Sequence, residues 1–303
     1  MALENVVPLA ASDSFAAFVR AWNFTGALTA LVALAAGGYV IGLIRLQWRG
    51  RGRAVSRSRV IYAGAGLFLL SLSLIGPLDA YAERAFFIHM TQHLVLAMLA
   101  APLMLAASPV SAYLWALPEA VRLGIGAGLA RQGLLRRAAT LLTKPVVALL
   151  AFVGTFYVWH LPAAYNAALE NGAVHFIEHV TMFASGVLFW WPLIGPAPVR
   201  SPLSYPQRML YLLLVVTPKA LLGAIITLSG HVLYGFYLDA PDLWGISDQE
   251  DQNIAGLIMW VPGNFVFLAA LTVLFFKWYE QEEGPLDGRR PPRQSPGAGG
   301  PGA

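Results

Sequence analysis

Seven stretches of this chain are apolar enough to cross a lipid bilayer: residues 24–45, 60–77, 88–107, 145–160, 174–195, 207–228 and 252–276. A hydrocarbon core of roughly 30 Å takes about 20 such residues. Inside it no water satisfies the backbone, so each segment must close its own hydrogen bonds as a helix. The expectation is an all-α fold: a polytopic membrane helix bundle of seven transmembrane helices. The bulk composition agrees, because charged residues make up 12% of the chain, where a soluble domain carries about 25%. Three parts follow: an extracytoplasmic segment over 1–23, a membrane domain over 24–277 and a cytoplasmic tail over 278–303. The tail sequence GRRPPRQSPGAGGPGA is rich in proline and glycine and is expected to be disordered. The first residues lack the basic flank of a cleavable signal, so the first span is expected to stay as an anchor.

Charge sets the orientation. The first loop carries Arg45, Arg49, Arg51, Arg53, Arg57 and Arg59 with no acid, which places it on the cytoplasmic side. Alternation then puts Arg122, Arg131, Arg136, Arg137 and Lys144, and later Arg200 and Arg208, on the same side. Asp79, Glu83 and Arg84, then Glu170, then Asp239, Asp242, Asp248, Glu250 and Asp251 fall on the other. The predicted topology is N-outside and C-inside. The long inner loop, PEAVRLGIGAGLARQGLLRRAATLL, mixes arginine with apolar positions as a helix lying on the membrane surface does. Trp159, Trp190, Trp191, Trp244 and Trp260 read as interface anchors. The basic residues mark topology, so they call for membrane lipid as a partner and for no nucleic acid.

In that topology all six histidines reach the outer side. His89 and His93 open the third span, His160 closes the fourth, His175 and His179 open the fifth, and His231 follows the sixth. Residues four apart share one helix face. HFIEHVTM therefore presents His175, Glu178, His179 and Met182 to one side, and HMTQHLVLAM repeats the pattern with Gln92 where the fifth span has Glu178. Spans three and five run in the same direction, so if they pack together their histidine pairs meet at one depth. That predicts a metal site of His89, His93, His175 and His179, with His160 as a fifth ligand or supporting group.

The chain has no cysteine, so a metal must be held by imidazole, thioether, carboxylate or backbone. Imidazole suits zinc, copper, iron and nickel; copper(II) heads the affinity order, and Met90 and Met182 also suit copper(I). Copper is the expected ion, with zinc and haem as the other options. HFIEH also fits the H-x-x-E-H pattern of inverted zinc metalloproteases, which makes a membrane metallohydrolase an alternative. A haem-binding electron carrier using one histidine from each span is another. Elsewhere Lys219 is an intramembrane cation whose expected partner is Glu178 or Asp251.

HMTQHLVLAMLAAPLMLAASP, WHLPAAYNAALENGAVHFIEHVTMFASGVLFWWPLIGP and DQNIAGLIMWVPG together resemble the polytopic CtaG family of cytochrome c oxidase assembly factors, over roughly residues 60–275. The resemblance implies a multi-pass protein of the bacterial plasma membrane that serves formation of a haem-copper oxidase. It implies involvement in copper supply, with oxidase subunits or other assembly proteins as partners. Carried over to this sequence, it singles out His89, His93, His160, His175, His179 and the Asp251, Gln252 pair. His231 has no counterpart in the matched motifs. A single-span copper chaperone that shares the family's name uses cysteines and is no model for this chain.

Overall fold

The computed structural model describes residues 15–50, 55–130, 133–239 and 245–283; Arg51, Arg53, Arg131, Asp242, Trp244 and the ends of the chain lie outside them. Those residues form helices and no strand. In order they are α1 Phe15–Arg20, α2 Gly26–Trp48, α3 Arg57–Leu74, α4 Pro77–Ala82, α5 Phe86–Leu94, α6 Ala101–Ala106, α7 Val110–Ala116, α8 Glu119–Gly128, α9 Leu134–Leu142, α10 Pro145–Trp159, α11 Pro162–Glu170, α12 Gly172–Ile194, α13 Tyr205–Leu228 and α14 Asp248–Glu283. A π-helical turn, Val95–Ala100, joins α5 to α6.

Six of these units are long and apolar enough to span a membrane, or seven if α9 and α10 count as one bent span. The expected fourth span, 145–160, corresponds to α10, and it is short. The fifteen residues of α10 reach only about 22 Å at 1.5 Å per residue. Pro145 opens that helix behind an extended Lys144, and α9 meets it at 63°. Neither α8 nor α9 buries a residue in the bundle, as the arginine-leucine pattern predicts. Leucines on the outer faces of the spans, such as Leu34, Leu150 and Leu213, stay exposed to whatever surrounds the bundle.

Proline explains the break in span three. Ala101 donates its N–H to Leu96, five residues back, and Pro102 has no N–H to offer the Ala97 carbonyl. That carbonyl accepts instead from the indole Nε1 of Trp190 at 3.1 Å. Trp190 is thus buried and holds two spans together; it is not an interface anchor. One turn earlier, a Cβ on Gly186 would come within 2.9 Å of the same carbonyl, so only glycine allows α12 to lie this close. Gly186 and Trp190 grip the π turn from α12 and set the register between spans three and five. A second close approach joins α13 to α14, where a Cβ on Gly223 would sit 3.1 Å from the Gly256 carbonyl oxygen. Small residues at such seams let backbones approach and gain dispersion contacts, since lipid removes the hydrophobic drive between helices.

Candidate metal centre

The register set by Gly186 and Trp190 brings the two histidine pairs level. Ring centroids lie 5.6 Å apart for His89 and His175, 5.8 Å for His93 and His179, and 6.4 Å for His93 and His160. His89, His93, His160 and His179 are buried and His175 is half-buried. All five expected residues therefore converge at one end of the bundle. Glu178 joins them, fully buried, with Oε1 3.6 Å from His93 Nε2 and Oε2 3.8 Å from His89 Nε2. His231 stays out: it is exposed, and its carbonyl accepts from Gln252 and Ser229.

Following the protons shows which nitrogens are free. Tyr237 donates to the Ala82 carbonyl at 2.9 Å, which uses its only proton. At the 3.0 Å contact with Tyr165, Tyr237 must then accept, so Tyr165 donates. Tyr165 in turn accepts from His89 Nδ1 at 2.7 Å. One direction satisfies the whole relay, and it leaves the proton on His89 Nδ1 and the lone pair on Nε2. Burial pushes both phenols up from their ordinary range, which keeps them protonated as the relay requires. An imidazole whose far N–H is fixed by an acceptor is oriented for metal binding. Neither tyrosine is marked by the histidine spacing; their signal is a hydroxyl-bearing ring in each of two short segments beside the histidines, where a buried Tyr must find a partner.

In this tautomer His89 Nε2 accepts from His93 Nε2 at 2.9 Å, a bond that a metal on His89 would replace. Around it, His93 Nδ1, His175 Nε2, both nitrogens of His179 and both oxygens of Glu178 are buried without a hydrogen-bond partner. Buried polar atoms normally find one, and leaving each unpaired costs about 1–3 kcal/mol. Two sets of ligand atoms lie within 4.8 Å of one another: His89, His175 and His179, and His89, His93 and Glu178. A cation would take one nitrogen from each ring of such a set, with the carboxylate offsetting its charge. The donor set fits a metal of the imidazole-preferring kind.

Supporting contacts fix the walls. Asp251 accepts from the backbone N–H groups of Phe86 and Phe87 at 2.7 and 2.8 Å, capping the helix that carries His89 and His93. Gln252 accepts from Leu233 N and donates to the His231 carbonyl, which pins the loop after α13. Trp159 donates to Thr181 on α12, and Tyr234 donates to the His160 carbonyl, so the fourth span's last residue is held against the cluster. Two expectations fail here. Lys219 pairs with neither Glu178 nor Asp251: its ammonium donates to the Met259 carbonyl and lies 5.6 Å from the Phe267 ring centroid. Gln92 is no counterpart of Glu178 either, because it turns toward α3 and α4 and donates to Ser73 O and Asp79 Oδ1.

A family model described as cytochrome c oxidase caa3 assembly factor matches residues 37–281. Among curated proteins, the uncharacterized proteins Mb0105 of Mycobacterium bovis and MT0111 of Mycobacterium tuberculosis are each 27% identical over 274 residues, and ML1998 of Mycobacterium leprae is 25% identical over 271. The match with the first two takes in 89% of this chain but 41% of theirs, so the chain spans about two fifths of those relatives. No solved structure matches it.

Proposed function

The chain belongs to the cytochrome c oxidase caa3 assembly factor family, and from that premise we propose that it holds copper for the oxidase at the histidine centre. The observation that carries this reading is the set of buried, unpartnered ligand atoms on His93, His175, Glu178 and His179, gathered round the fixed lone pair of His89. Copper is the cargo. His89, His93, His175, His179 and Glu178 bind it, and Tyr165 and Tyr237 keep His89 in the binding tautomer. Asp251 steadies the helix that presents two of the ligands. His160 closes the inner wall.

The distribution of basic residues supports an outward-facing centre in a bacterial plasma membrane, with a membrane-embedded oxidase subunit or another assembly protein as recipient of the ion. A carrier is preferred to a hydrolase because the family is one of assembly factors. The test is metal analysis of the purified protein, with the oxidase's copper content and activity measured in cells. His89→Ala with His93→Ala should remove copper from both proteins while leaving the elution profile unchanged. Unaltered copper in that variant would return the histidines to a structural role. Reporter fusions check the side: phosphatase activity from a fusion in the first arginine loop, with none from one near Asp242, would invert the topology.

A further inference from the structure

Below the histidine cluster the chain gathers its sulfur. Of seven methionines in the sequence, Met90, Met98, Met182 and Met259 line one buried void of about 20 Å³, together with His93 and His160. The four come from three different spans: α5 and its π turn, α12 and α14. Such a void has the size of a single water or ion.

One contact in the chamber points to a ligand. His160 Nδ1 lies 2.6 Å from the Phe156 carbonyl oxygen, an acceptor only, so Nδ1 carries the proton. The other nitrogen, Nε2, then turns a lone pair toward Met90 Sδ at 3.3 Å. A thioether has no proton to give. Two electron-pair donors thus face each other across a buried gap, which a cation bound between or beside them would reconcile. Methionine often fills irregular core space, but that use does not call for an imidazole lone pair aimed at the sulfur. Lys219 lines the same void with its ammonium committed to the Met259 carbonyl.

We propose that this chamber is a second metal site, selective for a soft monovalent cation such as copper(I), and that it exchanges the ion with the histidine centre through His93 and His160. Thioether sulfur prefers copper(I), whereas zinc and copper(II) stay with imidazole and carboxylate. The ion keeps its oxidation state and trades nitrogen ligands for sulfur. The inference deepens the copper reading and rests on it.

The experiment uses the full chain in lipid nanodiscs. It is titrated with copper(I) against a chromogenic chelator under reducing conditions, in parallel with silver(I) as a redox-inert probe, and the loaded samples are examined by X-ray absorption. The native protein should take about two equivalents of either ion and show sulfur scattering. Combined Met90→Leu, Met182→Leu and Met259→Leu, which nearly conserve volume, should take about one equivalent and lose the sulfur shell. Zinc loading at the histidines serves as the control for folding. If the triple variant does not retain zinc, Met182→Leu alone should still lower the sulfur coordination and weaken the second equivalent about tenfold. A native protein that binds one equivalent without sulfur, or a leucine variant that keeps two, overturns the second site and leaves the copper reading intact. Absence of either ion from the native protein overturns both.

Discussion

At one end of the bundle His89, His93, His175, His179 and Glu178 are packed until their ligand atoms lack partners. At the other end Arg59, Arg200, Arg208 and Lys277 rim a cavity of about 1140 Å³ whose lining includes no acid. Both ends are rich in groups that can carry charge, yet they differ in what surrounds those groups. Arg59, Arg200 and Lys277 are exposed, and Arg208 donates to the Leu193 and Leu203 carbonyls. An exposed cation is content with water or a lipid headgroup and marks the membrane side. A buried imidazole or carboxylate has no such solvent, so its unmet valence needs a partner. Charge at the open end therefore speaks of topology, and polarity at the closed end of chemistry.

The sharpest way to break this contrast is one substitution at each end. His89 belongs to both ligand sets, so His89→Ala should reduce bound copper at least 100-fold and abolish support of the oxidase. Arg200→Ala, at the wide cavity, should change neither by more than about twofold. Equal losses from the two would mean that the ends are not chemically distinct.

Glu178→Gln asks whether the closed end carries a metal or performs hydrolysis. Neither carboxylate oxygen has a hydrogen-bond partner, and both lie within 4 Å of a histidine Nε2. Neutral glutamine removes the charge that offsets a bound cation, so copper affinity should fall about 10- to 100-fold and oxidase support should fall in parallel. A catalytic base behaves otherwise: glutamine would leave the metal in place and eliminate function. Calorimetric affinity and cellular oxidase activity, measured on the same variant, decide between them.

How much of this was legible in the sequence depended on whether the decisive contact was local. The i, i+4 pairs His89/His93 and His175/His179 revealed their shared faces, because helix geometry fixes neighbours without knowledge of packing. The spans were legible for the same reason; the expected fourth span, 145–160, coincides with α10, and only its 63° bend against α9 needed the structure. The relation of Gln92 to Glu178 was misread because equal spacing on two helices does not imply equal surroundings: one helix turns that position toward α3 and α4, the other toward the cluster. Lys219 was misassigned since its acceptor is a backbone carbonyl, which no residue type announces. Pro102 was in plain view, but its consequence, a free Ala97 carbonyl met by Trp190, needed the neighbouring helix.

Tyr165→Phe sharpens the account of His89. Removing the hydroxyl leaves the ring's packing against Phe86 and Tyr234 but takes away the acceptor that holds the proton on Nδ1. The imidazole is then free to present either nitrogen, and copper affinity should fall about tenfold, the lower part of the range for groups that orient a ligand. Tyr237→Phe removes the acceptor of the Tyr165 proton and only a longer, 3.3 Å contact with His89 Nδ1, and should cost less. If both leave affinity unchanged, His89 is oriented by packing alone.

The smallest expected effect is at Asp251, which contributes to the closed end only by holding a helix in place. Its two oxygens accept from Phe86 N and Phe87 N, three and two residues before His89. Asn in its place keeps one acceptor oxygen and turns an amide NH₂ toward the second backbone N–H, so one donor at the start of α5 loses its partner. Loss of a helix cap costs about 1 kcal/mol, and the negative charge at a helix N-terminus adds about 0.3–1 kcal/mol that also disappears. Only the part of this that loosens the first turn reaches His89, because His93 lies a turn further on and remains anchored by the π turn. Copper affinity should therefore weaken no more than about fivefold, since tenfold would need 1.4 kcal/mol delivered entirely to the site. Thermal stability of the purified protein should fall whether or not copper is present. A loss of copper as large as that from His89→Ala, with stability unchanged, would make Asp251 a ligand in its own right and move the boundary of the metal centre onto α14.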